Sequence, residues 1–350
     1  MATIAAMNTT VDVFLVPVLD RHDVWAGIWV RCAAGHADMV ESLCAGLYQE
    51  IGGLRIFLDA GDGLPAACLD RLLPEKTWFV GSNDDEDILR QMKERGFHTV
   101  FHGRQFAAGI DNQGQFDAAK TQGVEWFSGK FITHPPSRPG GAQDVERVVL
   151  MSLLTLVAQD ADSAEIEQVF KREPKLSFNL FRLVNSVSMG LSTKISTFGQ
   201  AIMVLGRRQL QRWIQLLLYT NNKGNDNLPS PLLQLAAMRG RLMECLAIAS
   251  GWDAAEQERA FMVGSFSLLD SLLGMSMAEI VKVIPLQDDI QSALLTREGG
   301  LGEMLALVEG LQAGHAGITL PAAMNLGVED IADCQSDALR WAVGVAQGMN

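Results

Sequence analysis

Long apolar runs are missing from this 350-residue chain. The longest, around 213–218, falls far short of the roughly 18 residues that a membrane-spanning helix needs, and arginines flank it. The first 12 residues contain no Lys or Arg ahead of their apolar residues, so they do not resemble a secretory signal. We therefore expect a cytoplasmic protein that is not bound to a membrane.

Cysteine and histidine are both scarce. The five cysteines are scattered, their number is odd and no Cys-x-x-Cys pair occurs, which argues against a disulfide framework and a zinc ribbon. Of the six histidines, none lies between residues 135 and 314. A helical metal-dependent hydrolase needs several imidazole and carboxylate ligands around its metals. We therefore predict no metal site and no cofactor.

Basic residues are outnumbered, since 28 Lys and Arg face 41 Asp and Glu and the formal net charge is −13. A surface of that sign repels phosphate backbones, so nucleic acid is not an expected partner. One basic cluster, Arg207, Arg208 and Arg212, has the spacing of a solvated helix face. Gly-rich phosphate-binding motifs and a Gly-x-Ser-x-Gly motif do not occur.

What the chain does contain changes character near residue 135. Before that point, strand-like runs alternate with helical stretches at 37–51 and 84–95, which is typical of α/β layering. We predict a turn at the Gly-Asp-Gly of 61–63, and solvent-facing imidazoles for His98 and His102 at the ends of one strand. The predicted strands are 11–19, 24–32, 54–60, 77–82 and 98–103.

Residues 135–143, PPSRPGGAQ, are predicted to be a linker, because three prolines and two glycines cannot sustain a helix or a central strand. From 144 onward the apolar periodicity is almost entirely helical. Thr197 and Gln200 fit a capping box at the start of one of these helices.

Residues 170–218 closely resemble the core of the HDOD domain, an all-helical relative of the HD phosphohydrolases that lacks their metal ligands. The segments LVNS, Gln-Ala-Ile and Leu-Gly-Arg with a following Trp stand in the order of that family. Where an HD enzyme reads His-Asp, this chain reads Ser267-Leu268. In 238–247, Arg239 and Glu244 match positions typical of proteins that join an EAL domain to HDOD.

The α/β half resembles a degenerate EAL domain, the fold of cyclic di-GMP phosphodiesterases. The likeness lies in VFLVPVLDRHDVWAGIWVRC and in GVEWFSGKFITHPP. Gly27 and Val80 stand where the resemblance implies metal-ligand glutamates, Asp59 replaces an Asn, and His102 with the following Gly replaces an Asp pair. The short segment that follows leaves no room for the later strands, so we expect no closed eight-stranded barrel.

The resemblance implies an α/β plus all-α protein, with an incomplete EAL-like domain at 1–134, a linker at 135–143 and an HDOD domain at 144–350. It implies a bacterial signalling protein that is not an enzyme, has no catalytic residues and acts by protein–protein interaction, possible homo-oligomers included. The alternative is a sensor that binds cyclic di-GMP or a related nucleotide without hydrolysis, with Arg21, Arg31 and Arg55 as the few candidate ligands.

The polar junction LVNSVSMGLSTKIST, 183–197, is the candidate structural or interaction motif. We predict that Asn185 is held by backbone hydrogen bonds between two packed helices. A docking surface or small-ligand site at this junction is the open alternative. Together with Arg239 and Glu244, the candidate residues are Asn185, Ser186, Gly190, Ser192 and Lys194.

Overall fold

The computed structural model describes residues 10–11, 13–32, 37–62, 64–133, 145–159, 161–172, 174–185, 195–221, 230–315, 317–321 and 324–347. The chain divides into two compact units. The first takes residues 1–136, 248–251 and 306–340, and the second takes 137–247, 252–305 and 341–350. The predicted linker, 135–143, lies outside the described residues, and the predicted boundaries at 134 and 144 stay predictions.

The first unit is built on a seven-stranded sheet with the order β6-β5-β4-β3-β2-β8-β7. Strands β3 to β6 are parallel, β2 is antiparallel to both β3 and β8, and β7 is parallel to β8. These strands are β2 (Val13–Asp20), β3 (Trp25–Cys32), β4 (Arg55–Asp59), β5 (Thr77–Gly81), β6 (His98–Phe101), β7 (Phe106–Ala107) and β8 (Trp126–Phe127).

A parallel bridge between His102 and Phe106 connects the two ends of this strand order. The sheet is therefore nearly a barrel, although it has fewer strands than the eight of a complete one, as the short segment predicts. Aromatic rings fill it: Phe57 lies 5.4 Å from Phe106 and 5.7 Å from Trp126 between ring centroids. The helices of this α/β layer are α1 (Ala37–Glu50), α2 (Ala66–Leu69), α3 (Glu86–Glu94) and α4 (Gln113–Thr121).

A glutamine side chain more than 300 residues further along the chain supplies hydrogen bonds to one edge of β2. The β8 pairing reaches only Leu19 and Asp20 of β2. Further along the same strand, the buried side chain of Gln335 accepts a hydrogen bond from the Leu15 amide at 3.1 Å and donates to the Val13 carbonyl at 3.0 Å. Buried backbone groups without a partner are costly, so Gln335 takes the place of a strand here. A separate two-stranded sheet pairs β1 (Thr10–Val11) with β9 (Ile318–Thr319).

The second unit contains helices only, among its described residues. Thr197 caps helix α8, which begins at Phe198, by accepting a hydrogen bond from the Gln200 amide, as predicted. The Gln200 side chain accepts from the Ser196 amide. The remaining helices of the chain, some of which run into the first unit, are α5 (Val145–Ala158), α6 (Ser163–Arg172), α7 (Pro174–Val184), α8 (Phe198–Leu217), α9 (Pro231–Ala249), α10 (Ala254–Phe266), α11 (Leu269–Leu273), α12 (Met277–Val283), α13 (Asp288–Thr296), α14 (Gly299–Ala313) and α15 (Val328–Gln347).

In the described part of the chain, no single helix has both the length and the hydropathy to cross a membrane. One pair of segments, Ala254–Leu273 and Met277–Val283, would reach that length and composition together, with a bend of 109° between them.

Candidate functional site

Charged side chains collect at the carboxyl ends of the parallel strands. Arg31 lies at the end of β3 and Asp59 at the end of β4, and Asp62 closes the short 3-10 turn after β4. Asp85 follows β5, and His102 follows β6. Because parallel strands end at one edge of a sheet, these five groups, named here the strand-end cluster, lie at the edge where barrel enzymes place their active sites.

Arg31 is held from three sides. Its Nη1 donates to the Gly314 carbonyl at 2.8 Å, and its Nε lies 3.7 Å from a carboxylate oxygen of Asp59. Its guanidinium carbon lies 4.7 Å from the ring centroid of Trp29, a cation–π distance. The Trp29 indole donates to the other Asp59 oxygen at 3.1 Å. These contacts fix a positive charge whose side chain is still 38% exposed.

The two carboxyl groups after β4 are difficult to ionise. Burial raises the pKa of Asp59, and the neighbouring Arg31 charge only partly offsets it. Burial also raises the pKa of Asp62 to about 6, with a further contribution from the negative charge of Asp59. A carboxyl group with a pKa this close to neutral can accept and release protons under physiological conditions.

In contrast to Asp59 and Asp62, His102 and Asp85 have lowered pKa values. Burial lowers the pKa of His102, and the charge of Arg31 lowers it further, so the imidazole is neutral near pH 7. The Ser82 amide and hydroxyl donate to Asp85, each at 2.8 Å, and these hydrogen bonds lower the pKa of Asp85. The cluster thus combines a fixed cation, a fixed anion, a neutral imidazole and one carboxyl group that titrates near pH 6.

The cluster does not suit a divalent metal. Among the described residues, no group of three or more His, Cys, Asp or Glu side chains is placed to hold one. Arg31 lies within the cluster and would repel a cation. The metal centre that an EAL resemblance implies therefore has no matching ligand set among the described residues.

The structure also explains the glycine at the first degenerate position. A Cβ atom on Gly27 would lie 2.6 Å from both the Arg55 carbonyl oxygen and the ring of Phe57. A glutamate at this position would therefore collide with the aromatic filling of the sheet. Val80, at the second such position, is fully buried.

The histidine prediction was half right. His98 is exposed, although its ring stacks on Trp78 with centroids 4.4 Å apart. His102 is partly buried, and its ring centroid lies 5.8 Å from that of Trp29 and 5.3 Å from that of Phe106. The expectation of a solvent-facing imidazole is wrong for His102, because the nearly closed sheet draws this strand end against the aromatic rings.

Sequence reasoning missed Asp62 and Asp85. Asp62 was interpreted as part of a turn, which it is, and Asp85 was placed only within the predicted helical stretch 84–95. The available signal was that both follow predicted strands by a few residues. Parallel strands would have placed these two carboxyl groups at one edge together with Arg31.

Two of the predicted site residues lie in the core of the helical unit. Arg239 is buried and donates to the Ser267 hydroxyl at 2.8 Å, and Ser267 donates in turn to the Gly264 carbonyl at 2.7 Å. Glu244 is also buried and pairs with Arg212 and, at 2.8 Å, with Arg241. These contacts hold helices α8, α9 and α10 together.

Asn185 ends α7 and makes three short hydrogen bonds to backbone groups. Its amide nitrogen donates to the Phe181 carbonyl at 2.6 Å and to the Ile195 carbonyl at 2.7 Å, and its oxygen accepts from the Ile195 amide at 2.7 Å. The predicted backbone hydrogen bonds are thus present and tie the two ends of the junction together. Ser186, Gly190, Ser192 and Lys194 lie outside the described residues.

Asn185→Ala should destabilise the protein by about 1–3 kcal/mol, because the mutation leaves partly buried backbone groups without partners. Chemical denaturation of the full chain measures this change. Lys171→Ala, which removes an exposed pair with Glu167, is the matched control and should change stability by less than about 0.5 kcal/mol. Equal stability of Asn185→Ala and the wild type would show that the junction does not depend on this side chain.

A comparison with known protein families assigns part of the helical half of the chain to a family. The family model described as the HDOD domain matches residues 144–282. The chain is 31% identical over 244 residues to the cyclic di-GMP phosphodiesterase CdgJ of Vibrio cholerae, covering 68% of this chain and 55% of that protein. It is 27% identical over 236 residues to the uncharacterized protein YuxH of Bacillus subtilis, covering 66% and 57% respectively. No solved structure matches.

The similarity to CdgJ corrects one expectation. The chain was predicted not to be an enzyme, because the metal ligands of both families are missing. A relative named a phosphodiesterase, at 31% identity, points instead to enzymatic activity. The missing ligands were a weak argument, because they exclude one known site and leave other sites open.

The chain spans a little over half the length of these two relatives. The EAL-like assignment of the N-terminal half stays a prediction. The HDOD prediction is confirmed for residues 144–282, which form an HDOD domain, and its extension to residue 350 stays a prediction.

Proposed function

We propose that the chain is a signalling protein that acts on cyclic di-GMP, with the strand-end cluster as its reactive site. The observation that carries this proposal is the presence of Arg31 and Asp62 at one sheet edge, the first a fixed cation and the second a carboxyl group with a pKa of about 6. The name of the relative CdgJ supports the substrate class.

Each chemical role follows from the geometry of the cluster. A guanidinium presents a fork of N–H groups that matches the oxygens of a phosphodiester. Arg31 would hold one such group and stabilise the charge that builds up as water attacks phosphorus. Asp62, when ionised, would accept the proton of that water as the new phosphorus–oxygen bond forms. The bond from phosphorus to one ribose oxygen would break, and that leaving oxygen would take up a proton from solvent. His102 is neutral and would serve as a hydrogen-bond partner for the nucleotide.

Incubation of the purified full chain with cyclic di-GMP tests the proposal, with the linear dinucleotide separated by chromatography. We expect linear product to accumulate in proportion to the amount of protein. Absence of product from folded protein would contradict the proposal. So would product formation that does not change when the cluster is altered.

The rate should depend on the titration of Asp62. Because its pKa is raised to about 6, the carboxylate is present above that pH and is lost below it. The rate should therefore rise as the pH passes through about 6 and then level off. Asp62→Asn should remove this rise, and Asp111→Asn, at an exposed position outside the cluster, should retain it. If the rate of Asp62→Asn still rose as the pH passed through about 6, a group other than Asp62 would accept the proton.

For the HDOD domain, we propose a second role as a docking module for another signalling protein, a second copy of the chain included. Three apolar side chains on α7 and α8 support this role. Phe178 is 63% exposed, Met203 85% and Val204 47%. Helices α7 and α8 pack against each other, and exposed large apolar side chains on neighbouring helices are typical of interaction surfaces. They lie on the helices that flank the junction at 186–194.

Affinity capture with the tagged full chain tests the docking role. The tagged variants Met203→Ser and Phe178→Ser should fail to capture a partner protein that the tagged wild type captures. Val283→Ser, which alters an equally exposed apolar side chain on α12, should still capture it. Capture that is the same with all three variants would contradict a docking surface on α7 and α8.

A further inference from the structure

The helical unit contains a cavity of about 230 Å³ that the strand-end cluster and the junction do not use. Helices α5, α8 and α10 and the start of α13 line it. Six apolar side chains line it together with seven polar ones, which are Arg208, Gln211, Arg212 and Gln215 from α8, Glu258 and Arg259 from α10, and Gln287 just before α13. Apolar surface combined with convergent polar groups is typical of small-molecule sites.

Arg212 supplies a donor to this cavity. Its guanidinium pairs with the buried Glu244, and its central carbon lies 5.3 Å from the ring centroid of Phe261. Its Nε–H is buried and has no hydrogen-bond partner in the part of the chain that the structure describes. An arginine has five N–H donors, and one carboxylate cannot satisfy all of them. Arg212 therefore has a fixed orientation and an N–H group without a partner.

Gln215 supplies a second donor, one turn further along α8. Only 4% of this residue is exposed, and its side-chain oxygen accepts from the Ser265 hydroxyl at 3.1 Å. Its amide nitrogen donates to none of the described residues, although it lines the cavity. This amide nitrogen can therefore donate to a ligand in the cavity without giving up a hydrogen bond to another described side chain.

Two further arginines stand where the cavity opens. The Arg208 side chain is 64% exposed and its Nε lies 2.6 Å from Glu258. The Arg259 side chain is 30% exposed and its Nε lies 3.2 Å from Asp289, at an angle that makes no hydrogen bond. Both cations are oriented by carboxylates and retain donors for a ligand.

We propose that this cavity binds a small organic phosphate monoester. Donors from three arginines and one amide suit a group with several acceptor oxygens, and guanidinium groups bind phosphate in a two-point geometry. The apolar remainder of the wall suits the carbon skeleton of such a molecule. The inference does not depend on the strand-end cluster, which lies in the other unit.

Isothermal titration of the full chain with ribose 5-phosphate tests this site. We expect one molecule to bind per chain, and unphosphorylated ribose to give no signal. Arg259→Gln and Gln215→Leu should each weaken binding about tenfold or more, since each removes a donor from a desolvated site. Arg90→Gln, which removes an exposed arginine of the first unit, should leave binding unchanged.

Absence of binding to the folded wild-type chain would overturn the proposal. So would wild-type affinity in both Arg259→Gln and Gln215→Leu. Thermal melting of each variant shows whether it is folded. If Gln215→Leu does not fold, Arg259→Gln decides, because its side chain is partly exposed. If Arg31→Gln lost binding while Arg259→Gln and Gln215→Leu retained it, the ligand would lie at the strand-end cluster. That result would also overturn the proposal.

Discussion

Arg31→Gln should lower the rate of cyclic di-GMP hydrolysis by about 100-fold, the usual effect of removing a group that stabilises transition-state charge. Arg31 is the only cationic member of the strand-end cluster. The substitution keeps a polar side chain but removes the charge beside Asp59 and the Nη1 donor to the Gly314 carbonyl. Arg31→Lys should retain an intermediate rate, because it keeps the charge and loses the fork.

The control is Arg21→Gln, which removes an exposed arginine from the turn after β2 and should leave the rate unchanged. Melting curves of all three variants separate a catalytic effect from unfolding. A rate for Arg31→Gln within a factor of about two of the wild type, in folded protein, would contradict the role of this side chain.

Glu244→Ala should destabilise the protein by about 3–5 kcal/mol. Glu244 is the common partner of Arg212 and Arg241, and its side chain is 4% exposed. Removing one member of a buried ion pair leaves a desolvated charge, here above all that of Arg212, without the carboxylate that neutralised it. The expected drop in melting temperature is about 10 °C or more for a domain of this size.

Differential scanning calorimetry of the full chain measures this drop. Glu167→Ala, which removes the exposed partner of Lys171, should shift the transition by about 2 °C or less. A similar small shift for Glu244→Ala would mean that the two arginines find other partners or water when the glutamate is removed.

The sequence predicted the long regular elements well. Strands β2 to β6 lie within a residue or two of their predicted ranges, and the described chain after residue 144 is almost entirely helical, as predicted. Strong apolar periodicity fixes such elements locally. The two-residue strands β7, β8 and β9 were missed, because a pair of residues carries no periodicity and pairs only through distant chain segments.

The candidate site was less accessible to prediction. Asn185 was identified because its role is local, a side chain that joins two nearby backbone segments. Arg31 and Asp62 were not grouped, because what brings them together is the parallel order of β3 and β4. The raised pKa of Asp62 also depends on burial that no spacing in the sequence reveals.

The Gln335 contact with β2 bears on how the protein is made. It joins positions 320 and 322 residues apart, so the edge of β2 stays open on the ribosome until Gln335 has been synthesised. Strands with open edges are prone to pair with other chains. A fragment that stops at residue 143 lacks Gln335 and would keep this edge open permanently. Such a fragment would therefore aggregate more readily than the full chain, and chaperones would be expected to engage the nascent protein between the synthesis of β2 and that of Gln335.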